Sequence, residues 1–217
     1  MYIISIFYKI IIDALFPISK AEQELFLLQP EQVFDKLPPA PAFTGLAIPV
    51  KDAKNMKSIF AYKDERVTKL VWNIKYKKSA HAVRIGGYAL WWRLRRATPA
   101  LIIPIPITNR RRKERGFNQC ELLVDEIERL DVSKQFKIEK NLLTRVHHSS
   151  RQTLKSRPSR VEGAKGIFTV LSRVDLDRSI TIIIIDDVIT TGSTINEAIE
   201  TMKKVGFENV YGLSLAH

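Results

Sequence analysis

The sequence predicts an α/β protein: a central, mostly parallel sheet flanked by helices, with a small helical appendage at the N-terminal end. Three observations predict it. Within Ser179 to Val188, Ile182-Ile-Ile-Ile185 shows no polar alternation, as in strands covered on both faces. A helical pattern over 193–205 and an apolar segment at 209–216 follow. Strand, helix, strand in that order implies parallel pairing through right-handed crossovers. Upstream, Ala100-Leu-Ile-Ile-Pro-Ile-Pro-Ile107 repeats the buried-strand pattern and ends at prolines.

In chain order, residues 1–50 are punctuated by Pro17, Pro30, Pro38, Pro39, Pro41 and Pro49 and hold two helical patterns, around 3–15 and 20–36. Residues 1–57 are read as the appendage and 58–217 as the main domain. Met1 to Phe16 is apolar, but Lys9 and Asp13 interrupt it and it falls short of the ~20 apolar residues of a spanning helix, so a packed helix is expected and no membrane span. The short apolar run Ile59-Phe-Ala-Tyr62 leads into Asp64 to Ile74, where Val67, Leu70, Val71 and Ile74 fall at helical spacing behind an acidic first turn.

A second helix is expected from His81 to about Arg96, ending in Trp91-Trp92-Arg-Leu-Arg-Arg96. Aromatics interleaved with arginines can stack on bases, but on a helix leading into a buried strand they read better as packing residues. The basic stretch Arg110-Arg-Arg-Lys-Glu-Arg-Gly116 reads as a turn, and Phe117 to Leu130 as a third amphipathic helix. Residues 141–145 and 166–171 read as short strands. Between them, the polar, basic stretch His147 to Lys165 is long enough to mark a functional loop.

Composition narrows the class. Over 217 residues, 45% hydrophobic and 27% charged is the balance of an ordinary globular domain. A formal charge of +12 predicts attraction to polyanions, nucleotides and nucleic acids alike. The single cysteine, Cys120, rules out an internal disulfide and a multi-cysteine zinc site, and a cytoplasmic location is expected.

The chemistry concentrates after the isoleucine run. Ligands bind at the carboxyl ends of such strands, and there stand Asp186 and Asp187, then the polar turn Thr190-Thr-Gly-Ser-Thr194, then a helix. Gly192 lets backbone approach closely, the hydroxyls can donate, and a helix start adds free N–H groups and a positive dipole end. The turn suits a phosphate, while two carboxylates suit sugar hydroxyls or a nearby Mg2+. A phosphorylated sugar satisfies both. A plain strand cap and helix N-cap would need far fewer of these residues, and no Gly-Lys-Ser/Thr of a Walker loop follows the strand.

Ile184-Ile-Asp-Asp-Val-Ile-Thr-Thr-Gly-Ser-Thr194 resembles the phosphoribosyl-diphosphate (PRPP) signature of type I phosphoribosyltransferases. The resemblance implies that fold, with Asp186 and Asp187 on the ribose hydroxyls and Thr190, Thr191, Gly192, Ser193 and Thr194 around the 5-phosphate. It also implies a diphosphate loop at Ile107, Thr108, Asn109 and Arg110. Pro104-Ile-Pro-Ile, Arg115-Gly-Phe-Asn-Gln119 with Glu121-Leu-Leu123, and Gln152, Arg160 and Phe168 at intervals of eight are similar to the ComF branch. So are Phe60-Ala-Tyr62 and Lys75-Tyr76-Lys77 upstream.

By the same resemblance, the loop bearing Gln152, Arg157 and Arg160 would close over PRPP and exclude water, with Arg115 adding charge. His147 and His148 lie in that loop, where a base role competes with ordinary solvent exposure. ComF proteins usually open with a four-cysteine zinc module. Here Gln29 and Gln32 stand at the last ligand pair, so no zinc is expected. Gly163 replaces an asparagine common in the family's loop.

The implied cofactor is Mg2+ carried with PRPP. The implied partners are PRPP, single-stranded DNA on the basic surface, and a second copy of the chain in a homodimer. Two functions stay open: Mg2+-dependent transfer of a 5-phosphoribosyl group to an unidentified acceptor, or a non-catalytic PRPP-binding protein that binds single-stranded DNA during uptake, the process with which ComF proteins are associated.

Overall fold

A computed structural model of the chain describes residues 18–41, 55–146, 166–171 and 177–217. The expected helix at 3–15 and the loop carrying His147, His148, Gln152, Arg157 and Arg160 lie outside them.

Five strands, β1 (Met56–Phe60), β2 (Ala100–Pro104), β3 (Phe136–Ile138), β6 (Thr181–Val188) and β7 (Val210–Ala216), form one sheet in the order β1-β7-β6-β2-β3. Every pairing in it is parallel. β6 is central, which explains its unbroken isoleucine run. Ile183 and Ile185 face one core cluster, with Ile102, Leu213 and Leu215, while Ile182 and Ile184 face the other, with Leu101, Ile103 and Val210. Each such side chain contributes roughly 1.5–3 kcal/mol on burial.

The helices are α1 (Lys20–Leu27), α2 (Val33–Lys36), α3 (Glu65–Lys77), α4 (Ala80–Leu94), α5 (Asn109–Arg115), α6 (Gln119–Leu130) and α7 (Ser193–Lys204). Residues of α3, α4 and α6 fill the first cluster and those of α7 the second. Gly87 lets α4 and α6 approach closely: a Cβ there would lie 2.4 Å from Glu126 Cβ. A separate antiparallel pair, β4 (Leu143–Arg145) with β5 (Phe168–Val170), covers the second cluster through Leu143, Phe168 and Val170.

Several expectations change in detail. The pattern at 20–36 is broken, because Pro30 starts a one-turn 3-10 segment, Pro30–Gln32, between α1 and α2. Gln29 N–H there donates to Gln32 Oε1 at 3.2 Å, so these amides serve as a local cap. Residues 110–116 are not a turn but the helix α5. Thr108 caps its start by accepting from Arg111 N–H at 3.2 Å, and Gly116, at φ 78°, ends it. The edge strand β3 has no counterpart in the pattern reading.

Residues 18–41 pack on the main body rather than apart from it. Leu25, Leu28, Val33 and Leu37 belong to the first core cluster. Buried Glu22 accepts from Lys77 Nζ at 2.8 Å and from Asn73 Nδ2 at 3.3 Å, tying α1 to α3. Trp92 stacks on Phe34 at 4.4 Å and carries Arg95 at 3.8 Å, so this member of the Trp-Arg cluster is a packing residue. Among the described residues no helix is long and apolar enough to cross a membrane.

Candidate functional site

The sheet order turns back between β2 and β6, whose connections leave in opposite directions, and such a point is where open α/β sheets bind ligands. Pro104 stands opposite Ile185, and Ile105 N–H continues the ladder to Ile185 O at 2.9 Å. The loops after both strands therefore open at one end of the sheet. This brings the expected diphosphate segment, Ile107 to Arg110, beside Asp186, Asp187 and Thr190 to Thr194.

Asp186 and Asp187 close the central strand and are buried, at 8% and 3% exposure. Asp186 Oδ1 accepts from Asp187 N–H at 2.8 Å and from the Cys120 thiol at 3.6 Å. Burial and then the charge of Asp187 push the Asp186 carboxyl up to about 8. Burial and the two carboxylates likewise push the Cys120 thiol well up, so it stays protonated. Lys75, from the last turn of α3, places Nζ 2.8 Å from Asp187 Oδ2. Burial opposes its charge, but Asp187 outweighs burial and holds Lys75 above the ordinary lysine range. Beyond Lys75, Asp187 Oδ2 meets no other polar partner among the described residues.

The turn after β6 is a shallow cradle lined by Thr190, Thr191, Gly192, Ser193 and Thr194. Gly192 adopts φ 78°, ψ −6° as the residue before α7 and has no side chain with which to cap it. The N–H groups that follow Ser193 in the first turn thus keep the capacity to bind an anion. Thr191 Oγ1 accepts from Ser193 N–H at 3.4 Å and lies 2.9 Å from Ser193 Oγ, which shapes the turn.

The diphosphate segment is more mixed. Ile107 is buried and Thr108 is spent on capping α5, whereas Asn109 and Arg110 are exposed. Arg110 pairs with Glu114 at 2.7 Å. Within Arg115 to Gln119, Asn118 Nδ2 donates to Ile105 O at 2.9 Å and its Oδ1 accepts from Cys120 N–H at 3.0 Å, which fixes the exit from β2. Arg115 donates to Gln119 Oε1 at 2.9 Å and lies 5.0 Å from the Tyr76 ring, while Lys78 lies 5.7 Å from the Phe117 ring. This motif thus positions the site's loop and packs on the end of α3.

Two residues of the site were missed from sequence. Lys75 stood within Lys75-Tyr76-Lys77, but nothing local says which of the three turns inward. Arg145, at the end of β4, stacks 5.3 Å from the Phe168 ring. Burial and then Arg111 hold its guanidinium below the usual arginine range, with Asp186 acting the other way.

Residues 130–213 match the phosphoribosyl transferase domain, in keeping with a parallel sheet that ends in paired carboxylates and an anion cradle. Competence protein F of Haemophilus influenzae is 35% identical over 121 residues, which cover 54% of this chain and 51% of that protein. Both matches support a ComF-like, type I phosphoribosyltransferase-like protein. The chain's match spans about half the length of this relative. Among solved structures, an adenine phosphoribosyl transferase from Trypanosoma brucei, in complex with AMP, pyrophosphate and ribose-5-phosphate, is 16% identical with a TM-score of 0.35, over 86% of this chain and 78% of that one.

Proposed function

We propose that the chain binds PRPP and, with Mg2+, transfers its 5-phosphoribosyl group to an acceptor. The observation that carries this reading is the juxtaposition at one strand end of two buried carboxylates with a helix start whose N-cap, Gly192, has no side chain. We take residues 58–217 as the transferase-like domain and residues 1–57 as an appendage whose described part, 18–41, packs on it.

In this reading the loop from Thr190 to Thr194 holds the 5-phosphate through N–H groups and hydroxyls. Asp187, held in place by Lys75, accepts from a ribose hydroxyl. Asp186, which burial holds partly protonated, can donate as well as accept. Asn109, Arg110, Arg111 and Arg145 face the diphosphate. The acceptor bonds to C1 of the ribose as the bond from C1 to the diphosphate oxygen breaks. The diphosphate leaves with the electron pair, and cationic and N–H groups stabilise its charge.

The oxygen donors of Asp186 and Asp187 suit Mg2+, whereas the protonated Cys120 thiol does not. Bound together with PRPP, Mg2+ would neutralise charge on the leaving diphosphate.

Calorimetric titration with PRPP and Mg2+ tests binding, and diphosphate release across a panel of nucleobases, amines and ammonia tests transfer. Both are expected to vanish in Asp186→Ala/Asp187→Ala. Absence of PRPP binding by the wild type sinks the proposal.

A second reading, a PRPP-binding protein without transfer that engages single-stranded DNA, is favoured by one surface. Trp72 and Tyr76 are exposed, at 43% and 58%, with Lys77 5.0 Å from the first ring and Arg115 5.0 Å from the second. Aromatic faces among cations suit stacked bases and a phosphate backbone. PRPP binding without turnover, together with salt-sensitive DNA binding that Trp72→Ala/Tyr76→Ala abolishes, would favour it over transfer.

A further inference from the structure

Lys75 belongs neither to the phosphate loop nor to the strand that carries the carboxylates. Its helix α3 packs across one face of the sheet through Val67, Leu70, Val71 and Ile74 and delivers the ammonium to the carboxylate pair from the side. The ammonium stands 2.8 Å from Asp187 Oδ2, with the Lys75 side chain 21% exposed and that of Asp187 4%. Around the same point, Cys120 Sγ and carboxylate oxygens of Asp186 and Asp187 lie within 4.8 Å of one another, a spacing at which three such atoms can share a cation. Asp187 Oδ2 is buried and its one polar neighbour among the described residues is that ammonium.

We propose that Lys75 is the site's built-in cation: it occupies the place a divalent metal would take at Asp186 and Asp187, so the carboxylate pair rejects free Mg2+ and accepts the metal only when PRPP brings it. The inference rests on the phosphoribosyl reading of this site. Its physical basis is charge. A bare divalent ion at the pair would stand within a few ångströms of an ammonium fixed by its helix, and at that distance the repulsion is large in a partly buried site. A metal already chelated by a diphosphate brings its own compensating negative charge and needs no more than one oxygen from the protein. Lys75 therefore acts as a positioning and specificity-determining residue, setting which form of the metal enters.

Mn2+ serves as the probe, its free fraction read by electron paramagnetic resonance on the full chain. Wild type without PRPP is expected to hold no Mn2+ at this site. Lys75→Met should bind one Mn2+ per chain at least roughly tenfold more tightly than wild type, and Lys75→Met/Asp187→Asn should lose that binding. Lys75→Arg, which keeps the charge, should restore rejection, a result that a purely structural role for Lys75 does not produce. Thermal unfolding with and without Mn2+ gives a second readout, with only Lys75→Met stabilised by the metal. Should Lys75→Met fail to fold, Lys75→Gln is read in its place. Mn2+ bound by PRPP-free wild type and lost in Asp187→Asn overturns the proposal, as does a folded Lys75→Met or Lys75→Gln that takes up none. Failure of wild type to take up Mn2+ when PRPP is added counts against the phosphoribosyl reading alone, because the PRPP-free arms decide the role of Lys75.

Discussion

Two glycines with nearly the same backbone conformation separate what the phosphate cradle does from what it costs. Gly192 has φ 78° and ψ −6°, and Gly116 has φ 78° and ψ −7°. A side chain in the left-handed region costs roughly 1–2 kcal/mol at either position. A Cβ on Gly116 would meet nothing within 4 Å, so backbone strain is its whole penalty. For a domain of this length each kcal/mol lowers the melting temperature by about 2–4 °C, so Gly192→Ala and Gly116→Ala should each lose about 2–8 °C.

Ligand binding should divide them. Gly192 sits in the cradle before the start of α7, where an added methyl group crowds an approaching phosphate. Gly192→Ala is expected to weaken PRPP binding by about tenfold or more, equal to the loss of one good hydrogen bond to a charged group, while Gly116→Ala keeps wild-type affinity. Calorimetry on both variants, with melting curves alongside, provides the comparison. Equal PRPP affinities in the two variants would refute the assignment of the cradle to the phosphate.

Three further outcomes follow from burial and charge. Asp186, raised to about 8 in the fold from an ordinary 3.8, keeps a proton that the unfolded chain releases. Stability should therefore fall as pH climbs between these values, and melting temperatures of Asp186→Asn across pH 5–9 should show a flatter slope than wild type; equal slopes would count against the buried proton. Glu22 is held below its ordinary 4.5, first by Lys77, so its contribution is fully present above that value and disappears as pH falls through the lower folded one. Urea titrations should show Glu22→Gln less stable by roughly 1 kcal/mol near neutrality, after allowing for screening at half-exposed Lys77, with the gap closing below pH 4. Gly87→Ala drives a Cβ to 2.4 Å from Glu126 Cβ, an atom beside the backbone that cannot swing away, and should cost about 1–3 kcal/mol in the same titrations.

The strand and turn from Ile182 to Thr194 were legible because their signal is local. A strand covered on both faces needs apolar residues at every position, and a phosphate turn needs glycine and hydroxyls side by side. The helix α5 had equally local marks, Thr108 at its start and Gly116 at its end. Seven residues carrying five basic side chains conceal them, since no apolar stripe marks a helix that lies on the surface. β3 is three residues long with a lysine in the middle, too short for alternation to show. Lys75 and Arg145 lay beyond sequence reading for a different reason. Lys75 reaches Asp187 and Arg145 feels the charge of Asp186, each from an element far away along the chain, and only the packing of α3 on the sheet and of β4 on β5 decides where those side chains end.

The end of α3 spreads three consecutive residues over three parts of the molecule. Lys75 meets Asp187, Tyr76 lies under Arg115, and Lys77 holds Glu22 of α1. A single helical turn thus acts as a common hinge pin for the carboxylates, the loop leaving β2 and the N-terminal segment. Trimming or replacing residues 18–37 therefore amounts to altering the carboxylate end of the sheet at second hand.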